Sequence, residues 1–322
     1  MNSMQPYGLR LTQHTLRIAD PAISLPFYEQ TLGMMLLAER RDGDRTLFFL
    51  GYADPAAAGA GFNPFRPPST VPCLLTLVHN PKQPLADVRR QPDSAEGYWK
   101  ISLSVEDVDI AHNRLVARGV EIDSPRQVPD IAYLCHLYDP DGYCIELIQH
   151  DFQHRHEPAE EDPDCALGTP ATFSLITCRA KDINKSLEFY AGFLGMQLLS
   201  RQVVGSRGFT LYFLAFTDER PPYEDIEHIE NREWLWKRPY TLLELQHIWG
   251  TEDNPGFAYR VGAATGFEGI SLCATGFDAV LARADACGYT YGVLDKEVLP
   301  DARVANLVDP DSYSVKLVDF GS

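Results

Sequence analysis

The chain has 322 residues, 45% of them hydrophobic and 11% aromatic, with a formal net charge of −17 at pH 7. That length suffices for about two domains, each large enough to bury a core. The charge argues against nucleic acid as a partner, and no apolar run is long enough to cross a bilayer. The opening residues show no basic segment followed by an apolar one, so no leader is expected. Seven cysteines, an odd number without a Cys-x-x-Cys pair, fit reduced thiols and a cytoplasmic location better than a disulfide framework or a structural zinc site.

In chain order, Thr15 to Ile18 is a short β-like run. Asp20-Pro21 then opens a helix whose apolar positions are Ile23, Leu25, Phe27, Tyr28 and Leu32, and Gly33 stops it. Strands follow at 46–50 and 74–78, separated by an Ala-, Gly- and Pro-rich insertion over 53–72. The plan repeats at Ile101 to Val105, where Asp107 opens a helix over 108–117 and Gly119 ends it. Asp139-Pro140-Asp141-Gly142-Tyr143 makes a hairpin turn into the strand at Cys144 to Leu147. The polar, proline-broken segment 154–164 reads as an exposed linker, whose histidines are solvated rather than metal-bound. Strand–helix units recur at 176–195 and 270–288, with strands at 211–214 and 242–245. The charged insertion over 217–239 is expected to be partly helical around 227–236.

The halves repeat one another. Ser24-Leu25-Pro26-Phe27-Tyr28 and Leu32-Gly33-Met34 return as Ser186-Leu187-Glu188-Phe189-Tyr190 and Leu194-Gly195-Met196. Asp139-Pro140-Asp141 returns as Asp309-Pro310-Asp311, and Arg17 as Arg179. A period this long marks a duplicated domain rather than a solenoid.

These words, together with the stretch Leu242 to Asp253, resemble the glyoxalase I branch of the vicinal oxygen chelate superfamily over nearly the whole chain. The resemblance implies an α+β fold of four βαβββ modules in two tandem glyoxalase-like domains, 1–150 and 172–322, joined by a linker over 151–171. The modules pair into half-open barrels. It also implies a divalent metal, Zn or Ni, held on the inner face by Gln or His, Glu, His and Glu. Such an ion keeps positions open for substrate and stabilises an enediolate while a carboxylate moves a proton between adjacent carbons.

Carried over residue by residue, the four ligand positions fall on Gln13 and Thr76 in module one, Lys100 and Glu146 in module two, Leu175 and Glu244 in module three, and Gly269 and Lys316 in module four. Family dimers imply pairing of module one with four and two with three. One site then holds Gln13, Thr76, Gly269 and Lys316, without a carboxylate. The other holds Lys100, Glu146, Leu175 and Glu244. The metal candidates are therefore Glu146, Glu244 and Gln13, and the catalytic candidates are Glu146, as the base, Glu244 and Lys100. A Lys–Glu–Glu cluster taking the place of the ion is the favoured, metal-free state; a salt bridge left by loss of function is the alternative. Were a metal bound, His136 and Glu268 would be further ligands to consider, although Glu268 needs a strand bulge to face inward.

The resemblance assigns glutathione binding to Arg17, Arg179 and Asn80, and the pocket lining to Phe209, Leu211 and Phe213. Each arginine has an equal structural reading as an ion-pair partner. The expected partner is a small molecule, such as a glutathione adduct, with neither nucleic acid nor membrane involved, and the tandem chain can stand as a monomer. Three functions remain open: lactoylglutathione lyase-type isomerisation or related chemistry at the Glu146/Glu244 pocket, metal-free binding or sequestration of a small metabolite, and a metal-independent lyase or isomerase reaction with Glu146 or Glu244 as base and Lys100 as its electrostatic partner.

Overall fold

The computed structural model describes residues 7–53, 61–85, 95–262, 265–294 and 302–319. Module one comprises β1 (Arg10–Ile18), α1 (Pro21–Pro26), β2 (Met35–Asp42), β3 (Arg45–Gly51) and β4 (Leu74–His79). Module two comprises β5 (Tyr98–Val105), α2 (Val108–Ala117), β6 (Arg126–Val128), β7 (Ala132–Tyr138) and β8 (Cys144–Gln149). Module three has β9 (Ala171–Arg179), α3 (Ile183–Leu187), β10 (Gln197–Val204), β11 (Phe209–Ala215) and β12 (Leu242–Ile248), with α4 (Glu230–Trp236) inserted before β12. Module four has β13 (Phe267–Cys273), α5 (Phe277–Cys287), β14 (Tyr291–Leu294), β15 (Arg303–Val308) and β16 (Ser314–Asp319).

The strands form two eight-stranded sheets, and each draws one module from either half of the sequence. In one, β1 runs antiparallel to β13 and joins module one to module four. In the other, β5 runs antiparallel to β9 and joins module two to module three. This is the pairing that the family's dimers implied. Both half-barrels close within one chain, so neither needs a second copy to complete its sheet. Apolar side chains of β1, β5, β9 and β13 meet the helices in one continuous core. None of the described helices is long and apolar enough to cross a membrane.

The first helix differs from expectation. α1 ends at Pro26 and a π-helical turn continues over Phe27–Thr31. Proline is not the cause, because α3 gives way to the same turn over Glu188–Phe193 with Glu188 in the matching place. The shared consequence is the position of the tyrosine. Tyr28 Oη donates to Asp139 at 2.7 Å and Tyr190 Oη to Asp309 at 2.9 Å. Each aspartate also accepts the N–H groups of its own turn, and Tyr143 and Tyr313 reach back to the Arg17 and Arg179 carbonyls. The duplicated words are thus one lock made twice. Ile23, expected on the apolar face, is instead exposed.

The linker is also more firmly held than expected. Phe152 and Leu167 are buried, and His156 Nε2 lies 2.9 Å from Asp107 Oδ2. The helical part of the charged insertion appears as α4, whose Trp236 packs edge-on against Phe213 at 5.4 Å. Of the insertion over 53–72, residues 54–60 lie outside the described residues.

The lock titrates. Burial pushes the Asp139 and Asp309 carboxyls up to about 7, against the hydrogen bonds they accept from Tyr28, Tyr190 and the turn. An unfolded Asp titrates near 4. Between about pH 4 and pH 7 the folded chain therefore holds protons that the unfolded chain has released, and rising pH costs stability. The double substitution Asp139→Asn, Asp309→Asn is expected to flatten the stability curve in that window, by roughly 1–3 kcal/mol per site. Urea unfolding across the window measures this; an unchanged slope would reject it.

Candidate active site

Strand alternation and the module pairing bring Lys100 on β5, Glu146 on β8 and Glu244 on β12 to one inner face. Lys100 Nζ lies 2.7 Å from Glu146 Oε1, 3.3 Å from Glu244 Oε2 and 3.2 Å from Ser102 Oγ. Ser102 Oγ donates to Glu146 Oε1 at 2.7 Å, and Thr177 Oγ1 donates to Glu244 Oε2 at 2.6 Å. His136, cross-strand from Glu146, places Nε2 at 3.1 Å from Glu146 Oε2. Lys100 Nζ also stands 5.0 Å from the centre of the Trp99 ring.

All three charged groups are buried, with relative exposures of 3% for Lys100, 5% for Glu146 and 2% for Glu244. Their charges are therefore weakly screened. Burial alone would lower the Lys100 amine, but Glu146 and Glu244 outweigh it and hold the ammonium above its ordinary value. Burial works to raise Glu146, yet Lys100 and His136 hold it well below the usual carboxylate range. Glu244 ends the other way: burial, reinforced by the Glu146 charge, raises it in spite of Lys100 and Thr177. The two carboxylates are thus unequal. Both Glu146 oxygens have partners, whereas Glu244 Oε1 has no hydrogen-bond partner among the described residues.

The adjoining cavity is small, about 60 Å³, and is walled by Phe209, Leu211 and Phe213 with Trp236 above. It has room for a small reactive group, not for a tripeptide. The remaining candidates lie elsewhere. Gln13 is in the other half-barrel and donates from Nε2 to the Pro64 carbonyl at 2.9 Å. Arg17 binds the Gln83 carbonyl and sits 3.8 Å from Glu268. Arg179 donates to Gln246 Oε1 at 2.9 Å and to the Glu96 carbonyl at 2.6 Å. Asn80 caps its own turn by accepting from the Lys82 N–H. None of the three lines either of the two cavities described here. Glu268 does fall on a bulge of β13, between the pairs Thr15–Gly269 and Leu16–Phe267, and there it binds Arg45 at 2.6 Å.

Two supports went unread in the sequence, Ser102 and Thr177. The repeat itself carried the signal, since Ser271 and Thr15 stand at the matching places in the other half-barrel. Trp236, which closes the pocket from an insertion, has no counterpart to reveal it.

A divalent ion finds a poor donor set here. Leu175 has no ligating atom, and Lys100 keeps its proton and stands between the two carboxylates. In the other half-barrel Gln13, Thr76, Gly269 and Lys316 offer no carboxylate at all. Among the described residues no cluster of three or more His, Cys, Asp or Glu is arranged to hold a metal.

Four βαβββ modules closing two half-barrels, with polar residues on the inner faces, define a tandem vicinal oxygen chelate protein. The model of the Glyoxalase/Bleomycin resistance protein/Dioxygenase superfamily matches residues 10–147. Glyoxalase I of Saccharomyces cerevisiae is 30% identical, across 97% of this chain and 93% of its own length. A lactoylglutathione lyase of Schizosaccharomyces pombe is 25% identical across 98% and 97%. The crystal structure of Zea mays glyoxalase I superposes with a TM-score of 0.67 at 20% identity, covering 99% of this chain and 95% of that one. The chain belongs to the Glyoxalase/Bleomycin resistance protein/Dioxygenase superfamily, and it is glyoxalase I-like along its whole length.

Proposed function

We propose that the protein carries out a metal-independent form of glyoxalase I-type proton transfer, with Glu244 as the base and the Lys100 ammonium as the fixed positive charge. The observation that carries this reading is Lys100 Nζ within 3.3 Å of both carboxylates. Glu244 is the better base of the two because its carboxyl is raised and one oxygen is uncommitted, whereas Glu146 is held ionised and fully bonded. Glu244 takes the proton from the hydroxyl-bearing carbon of a hemithioacetal and returns it to the neighbouring carbonyl carbon, while the hydroxyl proton passes to the former carbonyl oxygen. The thioester formed is an isomer of the substrate, so no oxidant or reductant is consumed. Lys100 stabilises the negative oxygen of the intermediate, the part for which a preorganised charge is most effective.

Glutathione adducts are the first substrates to test, because relatives similar over the full chain are named lactoylglutathione lyases. The bound state places only the reacting end of such an adduct beside the carboxylates, given the volume there. Methylglyoxal with glutathione is expected to yield thioester equally well with chelator and with added Zn, Ni or Co. Glu244→Gln is expected to lower kcat by about 100-fold or more. Activity that needs added metal, or that survives Glu244→Gln, would overturn the assignment.

A second reading has its own support. The three acceptors around Lys100 use all three of its N–H donors. A cluster so satisfied suits a protein that binds a small metabolite without turning it over. Saturable binding of the adduct with no product under any metal condition would establish that reading.

A further inference from the structure

The larger cavity lies in the other half-barrel, about 650 Å³ between modules one and four. Its floor repeats that of the first site with the charges changed. Thr15 matches Thr177 and Ser271 matches Ser102, the two hydroxyls that donate to Glu244 and Glu146. Here the carboxylate positions hold Thr76 and Lys316. The donors remain while their acceptors have gone. The side-chain groups of Thr15, Thr76, Ser271 and Lys316 have no hydrogen-bond partner among the described residues, and Thr76 Oγ1 is fully buried in that state. Unpaired buried polar groups are costly, so a site that converges several of them is built for something that supplies the missing partner.

The charges around the cavity specify the sign. Arg40, Arg41 and Arg45 line it together with Lys316, against one carboxylate, Asp42. Arg45 is paired with Glu268 just outside, which leaves the cavity cationic in a chain whose net charge is −17. Apart from Gln13 and Asn63, the remaining wall is apolar, with Leu47, Phe62 and Phe65 from module one and Leu294, Val304 and Val318 from module four. The volume lies within the range of pockets that hold small organic ligands.

We propose that this second cavity is a binding site for a small carboxylate with an apolar body, its anion anchored by Lys316 with Thr76, Thr15 and Ser271 in the place of the absent glutamates. The site is separate from the Lys100 cluster and does not depend on catalysis there. Burial pushes the Lys316 amine below its ordinary value, opposed by Glu268 and Asp42 and aided by Arg45. A bound anion reverses that direction, so occupancy and the protonation of Lys316 are coupled.

Octanoate and octanamide, matched in chain and different in charge, are suitable probes for calorimetric titration of the full chain. Octanoate is expected to bind at one site per chain and octanamide roughly 10- to 100-fold more weakly. Lys316→Met is expected to remove that difference, whereas Lys316→Arg retains most of it. Octanoate should also slow acetylation of Lys316 by acetic anhydride, read by peptide mass on the unmodified protein, so the test does not hang on the variants folding. Equal binding of acid and amide, no octanoate binding at millimolar concentration, or Lys316 labelling indifferent to octanoate would each overturn the proposal.

Discussion

Replacing Lys100 with methionine is expected to destabilise the protein by about 3–5 kcal/mol at pH 7. The exposure of the three partners decides the size of this effect. An ion pair at the surface contributes little, but a buried charge that loses its partner is left without compensation. Lys100, Glu146 and Glu244 are all buried, and among the described residues Lys100 is the only cation within hydrogen-bond distance of both carboxylates. Without it, two carboxylates face each other and one of them must take up a proton.

That requirement fixes the pH dependence. In the native chain Glu146 is held below its unfolded value, so its contribution is present above about pH 4 and is lost as acid protonates it. In the variant the pair titrates above the unfolded value. Its folded state is then best placed below about pH 4 and loses stability as pH rises through the raised value. The two stability curves converge in acid and separate toward neutrality. Urea unfolding of both proteins in mildly acidic and neutral buffer gives the comparison. A cost below about 1 kcal/mol, or one that is the same in both buffers, would mean that the ammonium is not what holds the carboxylates together.

The contrast between what could and could not be read in advance has a physical basis. Lys100, Glu146 and Glu244 could be placed on one face from sequence because strand alternation is strict and the family resemblance implied the module pairing. The Asp-Pro-Asp turns and the helix-opening aspartates Asp20 and Asp107 were legible for a similar reason, since their side chains cap backbone groups within a few residues. The π turn after α1 was not, because the apolar spacing around Phe27 and Tyr28 suits an α-helix equally well. What the wider turn accomplishes lies at a distance, since it presents Tyr28 to Asp139. Arg17 and Arg179 were ambiguous because a guanidinium's partners are set by tertiary contacts, and the structure gives them carbonyl, amide and carboxylate partners within the protein. Cavity size was also beyond sequence reach. The carboxylate-bearing site is the narrow one, filled by Trp236 from an insertion, while the site without carboxylates is roomy.

Gly269→Ala is expected to be the most damaging single methyl group that can be added near either site, at roughly 4 kcal/mol or more. Gly269 has φ +103, which an L side chain rarely adopts. An added Cβ would also stand 2.1 Å from the Ser314 carbonyl oxygen and 2.9 Å from Ser314 Cβ. The nearest obstacle is backbone at the start of β16, the strand that pairs with β13, so no side-chain rotation relieves it. The matching position in module two carries Lys100 without positive φ. The family's histidine position has therefore been lost differently in the two half-barrels. At Lys100 the backbone still accepts a side chain and only its chemistry has changed. Both strands carry a bulge just before this position, at Trp99 and at Glu268, so what sets Gly269 apart is its positive φ, and restoring a histidine ligand there would require β13 to be rebuilt. Urea unfolding of Gly269→Ala beside the parent protein measures the cost. A Gly269→Ala protein as stable as the parent would show that β13 can relax, and the cationic cavity would then owe its lack of ligands to side-chain exchange alone.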